Sequence, residues 1–266
     1  MTGLIRSIAA SLALLATASL SAAPAHEKRI ASVDLSKPFH TRTAWRFTAT
    51  QGPDVVSDDP VGDGEPGTIH LCIGNGGDQA CHPDLQHALR GDEGEDFFSD
   101  PHYLEDTRVV YPRGPAAPPL LLVETRSVHA GNGSQRAALQ AAAYDPGKDR
   151  FMRAYLYVVG GNMNQEIRYI SEGRLRGDIV SVEPTGNAPF GFWVIVNRLS
   201  AAYRYVQILR YRSATRYGDN NPLSVIDSEM PNIQGRLGLW HPGQPLPLPA
   251  KGCRKPHLVR MELWCS

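Results

Sequence analysis

The chain of 266 residues is poor in cysteine, with four, and shows no excess of charge, since 27 basic and 27 acidic residues cancel. Neutrality argues against nucleic acid as a main partner, because neutralising phosphates requires a clear basic surplus. Beyond residue 25 no stretch approaches the ~20 consecutive apolar residues that a spanning helix needs, so no transmembrane segment is expected there. Three common hydrolase signatures, Gly-x-Ser-x-Gly, His-Glu-x-x-His and Ser-x-x-Lys, are absent. Gly62-Asp63-Gly64-Glu65-Pro66-Gly67 has the spacing of a dinucleotide fingerprint. It follows no strand and opens no helix, and its two carboxylates would repel a pyrophosphate. The paired Cys-x-x-Cys spacing of a zinc site is missing, and the nine histidines form no visible ligand set.

What is present begins at the N-terminus. One arginine, Arg6, precedes an apolar run from Ile8 to Leu20 and the small-x-small sequence Ala23-Pro24-Ala25. That order is a secretory signal, with cleavage expected after Ala25 and a secreted or periplasmic destination. Residues 1–25 are then signal peptide and 26–266 one exported β-rich domain. In an oxidising compartment, four cysteines favour disulfides over free thiols. Cys72 lies near Cys81 and Cys253 near Cys265, so two local bridges are favoured among the three pairings possible. A metal site at Cys81, His82 and His87 is the competing reading. Charge is distributed unevenly: Asp54 to Asp106 holds fourteen acids and one base, Arg90, whereas Thr107 onward holds eleven acids and twenty bases. Residues 51–106 read as an acidic, loop-rich region and 107–266 as regular antiparallel strands.

Strand signals dominate. Thr43 to Thr50 alternates, with Trp45 and Phe47 on one face, and Ile69 to Ile73 is a short candidate. His82 to Leu89, with Pro83 early, reads as one short helix near 83–89. Seven segments follow that are rich in Val, Ile, Tyr and Phe and bounded by turn residues. They are Leu120–Val128, Gln135–Tyr144, Arg150–Val159, Gln165–Ser171, Ile179–Glu183, Gly191–Leu199 and Tyr203–Ser213. Short connections predict a mainly β protein, an antiparallel meander forming a sandwich, barrel or propeller-like unit.

In such a meander alternate turns share one end of the sheet. Those following Val128, Val159, Glu183 and Ser213 all place Gly beside Asn or Asp. They would gather His129, Asn132, Asn162, Asn164, Asn187, Asp219 and Asn220 on one rim. Amide and carboxylate oxygens on loops of a rigid sheet suit a polar ligand such as a glycan, or a hard cation like Ca²⁺. Tight hairpins also demand Gly and Asn for their own backbone. In Tyr203 to Arg212, period two puts Tyr203, Tyr205, Gln207, Leu209 and Tyr211 on one face, to be buried or to stack on sugar.

One carboxylate pair stands out. If Val225 to Met230 is a strand, Asp227 and Glu229 share a face, the arrangement a retaining glycosidase needs for nucleophile and acid/base. Over these few positions the segment resembles the Glu-x-Asp-x-x-Glu strand of jelly-roll endoglucanases, departing from it at Val225 and Met230. The leading expectation is therefore a non-enzymatic exported domain binding a glycan, another envelope component or a partner through its Gly/Asn loops, with no cofactor. A carbohydrate-active hydrolase and a purely structural envelope-interaction domain are the alternatives.

Overall fold

In the computed structural model, the described residues are 27–55, 64–76, 81–86, 100–128, 135–161, 164–186, 190–248 and 252–266. Three antiparallel sheets stack one upon another, and a helix covers the outer face of the third. The first sheet contains β1 (Lys28–Asp34), β2 (Arg46–Gln51) and β3 (Ile69–Gly74), with the short helix α1 (Ser36–Phe39) between its first two strands. The second runs β4 (Tyr103–Val110), β5 (Leu120–Arg126), β6 (Arg136–Asp145) and β7 (Arg150–Gly160) in sequence order. The third is β8 (Glu166–Tyr169), β9 (Ile179–Pro184), β10 (Phe192–Leu199) and β11 (Tyr205–Arg212), again a simple meander. Helix α2 (Val225–Arg236) follows, then a hairpin of β12 (Pro256–Val259) and β13 (Glu262–Cys265). The sheets are open and lie in sandwich fashion; none closes into a barrel.

The middle sheet is buried on both faces, and its sequence shows it. Leu120-Leu121-Leu122-Val123 is an unbroken apolar run because successive side chains enter different cores. Leu121 and Val123 pack with Phe47, Leu71 and Ile73 of the first sheet. Leu120 and Leu122 pack with Ile179 and Tyr169 of the third. The opposite face of the third sheet presents Val180, Val182, Phe192, Val194 and Val196 to Val225, Ile226, Met230 and Ile233 of α2. All seven strands expected after Leu120 are present, as are those near residues 46 and 69.

Both local disulfides are formed: Cys72–Cys81 and Cys253–Cys265 have Cα separations of 4.9 and 5.5 Å. Cys81 is thereby unavailable as a metal ligand. Three expectations are corrected. Of the short helix expected near 83–89, residues 83–86 are non-helical, a bend and a turn, and residues 87–89 lie outside the described residues. There Leu85 is buried, and the Gln86 amide bonds both Leu71 N–H and Ile69 C=O at 2.9 and 2.8 Å. The Gln86 side chain thus pairs the outer edge of β3, where Ile73 C=O also accepts the His82 N–H at 2.9 Å. The tyrosine face of β11 is also divided. A bulge opposite Val196 and Asn197 inserts Ile208 as an extra residue, which reverses the side-chain phase. Tyr205 therefore packs between the second and third sheets, while Tyr211 packs under α2. Third, Val225 to Met230 is the first half of α2, not a strand.

Candidate functional site

A cleft of about 640 Å³ opens between the β8–β9 connection, α2 and the chain that follows α2. β8 contributes Arg168 and Tyr169, the connection Ile170 to Leu175, and α2 Asp227, Met230 and Gln234. Trp240 and Pro245 to Leu248 complete the wall. The connection includes a 3-10 turn at Gly173–Leu175 and closes against the β4–β5 loop at Gly177. Gly177 has φ +88°, and a Cβ there would come 2.7 Å from Pro112 O, so the close approach requires glycine.

The floor is an ion-pair and capping cluster. Arg168 Nη1 donates to Asp227 Oδ1 at 2.7 Å, and Nη2 donates to Glu166 Oε2 and Ser224 Oγ at 2.9 Å each. Ser224 is the N-cap of α2 and its hydroxyl also donates to Asp227 Oδ2 at 2.9 Å. Glu166 accepts the Ile226 N–H at 2.6 Å, answering one of the helix's unpaired amides. Acids at a helix N-terminus also meet the positive end of its dipole. Burial pushes the Glu166 carboxyl above its ordinary range, with Arg168 acting against that shift. Trp240 is buried behind the mouth, and its indole N–H donates to Pro245 C=O at 3.0 Å. Arg174 reaches Gln244 Oε1 at 3.4 Å, tying the β8–β9 connection to the proline-rich wall.

The residues expected on a rim divide differently. His129, Asn132, Asn162 and Asn187 lie outside the described residues. The strand register does bring the flanks of their turns to one end of each sheet. Arg136 pairs with Gly160 in the second sheet, and Gly161 N–H donates to Gln135 C=O at 2.6 Å. In the third, Glu166 pairs with Val182, Phe192 with Pro184 and Trp193 with Arg212. Asn164 and Asn220 have φ of 59° and 67°, the left-handed backbone that Asn tolerates in turns. Asp219 is engaged by the Asn221 N–H at 2.9 Å. Neither Asp219 nor Asn220 lines the cleft.

Asp227 and Glu229 are separated by the helix, where residues two apart point about 200° from each other. Asp227 faces Arg168. Glu229, fully buried, accepts from Tyr211 Oη and Thr215 Oγ1 at 2.6 Å and from Asn232 Nδ2 at 3.0 Å. Two carboxylates so held do not face one substrate bond. Among the described residues no group of three His, Cys, Asp or Glu side chains is placed to hold a metal ion. Sequence reasoning missed Arg168, Arg174, Gln234 and Trp240. The available signal was Ser224-x-x-Asp227, a helix N-terminal spacing. Comparison with family models, with curated proteins and with solved structures gives no match for this chain.

Proposed function

We propose that this chain is an exported, non-catalytic domain, released from its signal near Ala25, that binds a polar envelope ligand of the glycan class in the cleft beside α2. The reading rests on the cleft itself. Its volume suits a small ligand, and its walls alternate apolar surface from Tyr169, Ile170, Met230 and Leu248 with Glu172, Arg174 and Gln234. Sugar rings present apolar faces and hydroxyl edges, so such alternation complements them. Disulfide pairing of all four cysteines supports a place outside the reducing cytoplasm. Binding, and not hydrolysis, is favoured because Asp227 and Glu229 are each committed to structural partners.

A thermal-shift screen of soluble glycans and cell-wall fragments tests the proposal, since a ligand of the native state raises the melting temperature. The expected result is a shift with one glycan class that disappears in Arg174→Ala and Gln234→Ala. Were no fragment to raise the melting temperature of the wild type, the structural alternative would stand.

A further inference from the structure

Asp227, Met230 and Gln234 are three and four residues apart, so they follow one another along a single face of α2, and all three line the cleft. The Asp227 carboxylate is engaged by Arg168 and Ser224. Gln234 differs. It is 8 % exposed, and its side-chain amide makes no hydrogen bond to any described residue. Nor is that amide among the buried side-chain atoms shut off from solvent without a partner, so the exposure it keeps is toward the cleft. Its backbone, by contrast, is in use. The Gln234 C=O accepts the Leu239 and Trp240 N–H groups at 2.8 and 3.3 Å, which folds the chain back after α2 and sets Trp240 beside it. A polar side chain held so far from water without a partner calls for a reason.

The surroundings define what would match it. Met230 lies one turn away on the same face, and Leu175 and Trp240 stand in the wall at 1 and 2 % exposure. The single donor of Trp240 is taken by Pro245 C=O, so the indole gives the cleft apolar surface alone. The Arg168 guanidinium is occupied by Glu166, Asp227 and Ser224. Glu172 and Arg174 are exposed, on the β8–β9 side. The inner part of the cleft thus offers one uncharged donor and acceptor set among apolar side chains.

A sugar hydroxyl placed there would leave part of its hydrogen-bonding capacity in apolar surroundings, and an ammonium group would carry its charge out of water. An acetamido group brings a C=O or N–H to pair with the Gln234 amide, and a methyl for Met230 and Trp240 to cover. Pairing of a glutamine side chain with peptide groups already occurs in this fold, where Gln86 bonds Leu71 N–H and Ile69 C=O. We propose that Gln234 is the specificity determinant of the cleft. Within the glycan reading, on which this inference rests, it selects sugars bearing an N-acetylated amine over those with a free amine or a hydroxyl at that carbon.

The experiment compares three trisaccharides of one backbone that differ only in the group beside the anomeric carbon: triacetylchitotriose, its de-N-acetylated form and cellotriose. Affinities are measured by calorimetry on protein recovered after export. The wild type should bind the acetylated sugar about tenfold more tightly than either of the others. Gln234→Met keeps the length of the side chain and removes both hydrogen-bonding atoms. It should lose that preference while melting no lower than the wild type, because the amide it replaces has no partner within the protein. Equal wild-type affinity for the three sugars overturns the assignment and leaves the glycan reading standing, as does a preference that survives in Gln234→Met. Failure of all three to bind, when another glycan raises the melting temperature in the screen, has the same meaning. Were no glycan to bind at all, the glycan reading would fall and this inference with it.

Discussion

At the seam between α2 and β13, two glutamates, Glu229 and Glu262, are buried where most carboxylates would be in solvent. Glu229 is accommodated by three hydrogen-bond donors. Glu262 is less well supported: burial, and then the negative charges of Glu229 and Asp219, hold its carboxyl above the ordinary range. A folded-state pKa above the unfolded one means that folding favours the protonated form. Its contribution is thus fully present below the ordinary carboxylate pKa of ~4.3 and is lost as pH rises through the folded value. Replacing Glu262 by Gln removes the charge while keeping the shape. The variant should therefore be more stable than wild type at pH 7 to 8, the advantage shrinking as pH falls toward 4, as read from urea midpoints. Equal midpoints at neutral pH would mean that the burial of Glu262 costs nothing.

At the scale of elements, α2 concentrates what was hardest to read. Taken as a strand, Val225 to Met230 would put Asp227 and Glu229 on one face, and Pro231 looks like its terminus. Yet the helix continues through Pro231 to Arg236. Proline removes an N–H and crowds the preceding turn, a local penalty that burial of Val225, Ile226, Met230 and Ile233 against the third sheet outweighs. Ser224 starts the helix and joins it to Arg168. Ser224→Ala should cost about 1 kcal/mol through loss of the cap, measured as a lower urea midpoint at unchanged slope. An unaltered midpoint would assign the capping role to Glu166 and Asp227 alone. The seven strands after Leu120, by contrast, were legible to within about two residues at each end, because their period, their apolar content and their turn residues agree, whereas β4, β12 and β13 carried no such signal. β11 is the instructive exception. Its period-two pattern is correct on each side of Ile208, and nothing local announces the bulge that transfers Tyr211 to the helix side.

At the scale of the whole molecule, the second sheet joins two separate cores. Leu122, 1 % exposed, lies in the core shared by the second and third sheets. Leu122→Ala should cost 2–5 kcal/mol, the usual range for a buried leucine that leaves a cavity, with the loss appearing in the global transition. If hydrogen exchange showed that only one sheet loosened, the layers would be separable units, contrary to the shared packing seen here. The candidate cleft belongs to this scale. Arg168 and Asp227 are 59 positions apart, and stacking the helix on the third sheet is what brings them together.

The sequence by itself determined the seven strands after Leu120 and favoured the two local disulfides, since each follows from interactions between near neighbours along the chain. Only the tertiary structure decided that Val225 to Arg236 is a helix, where β11 changes phase, and that Arg168, Trp240 and Gln234 enclose a cleft. Those outcomes depend on which apolar surfaces meet across the layers, and contact between distant segments leaves no periodic mark in either of them.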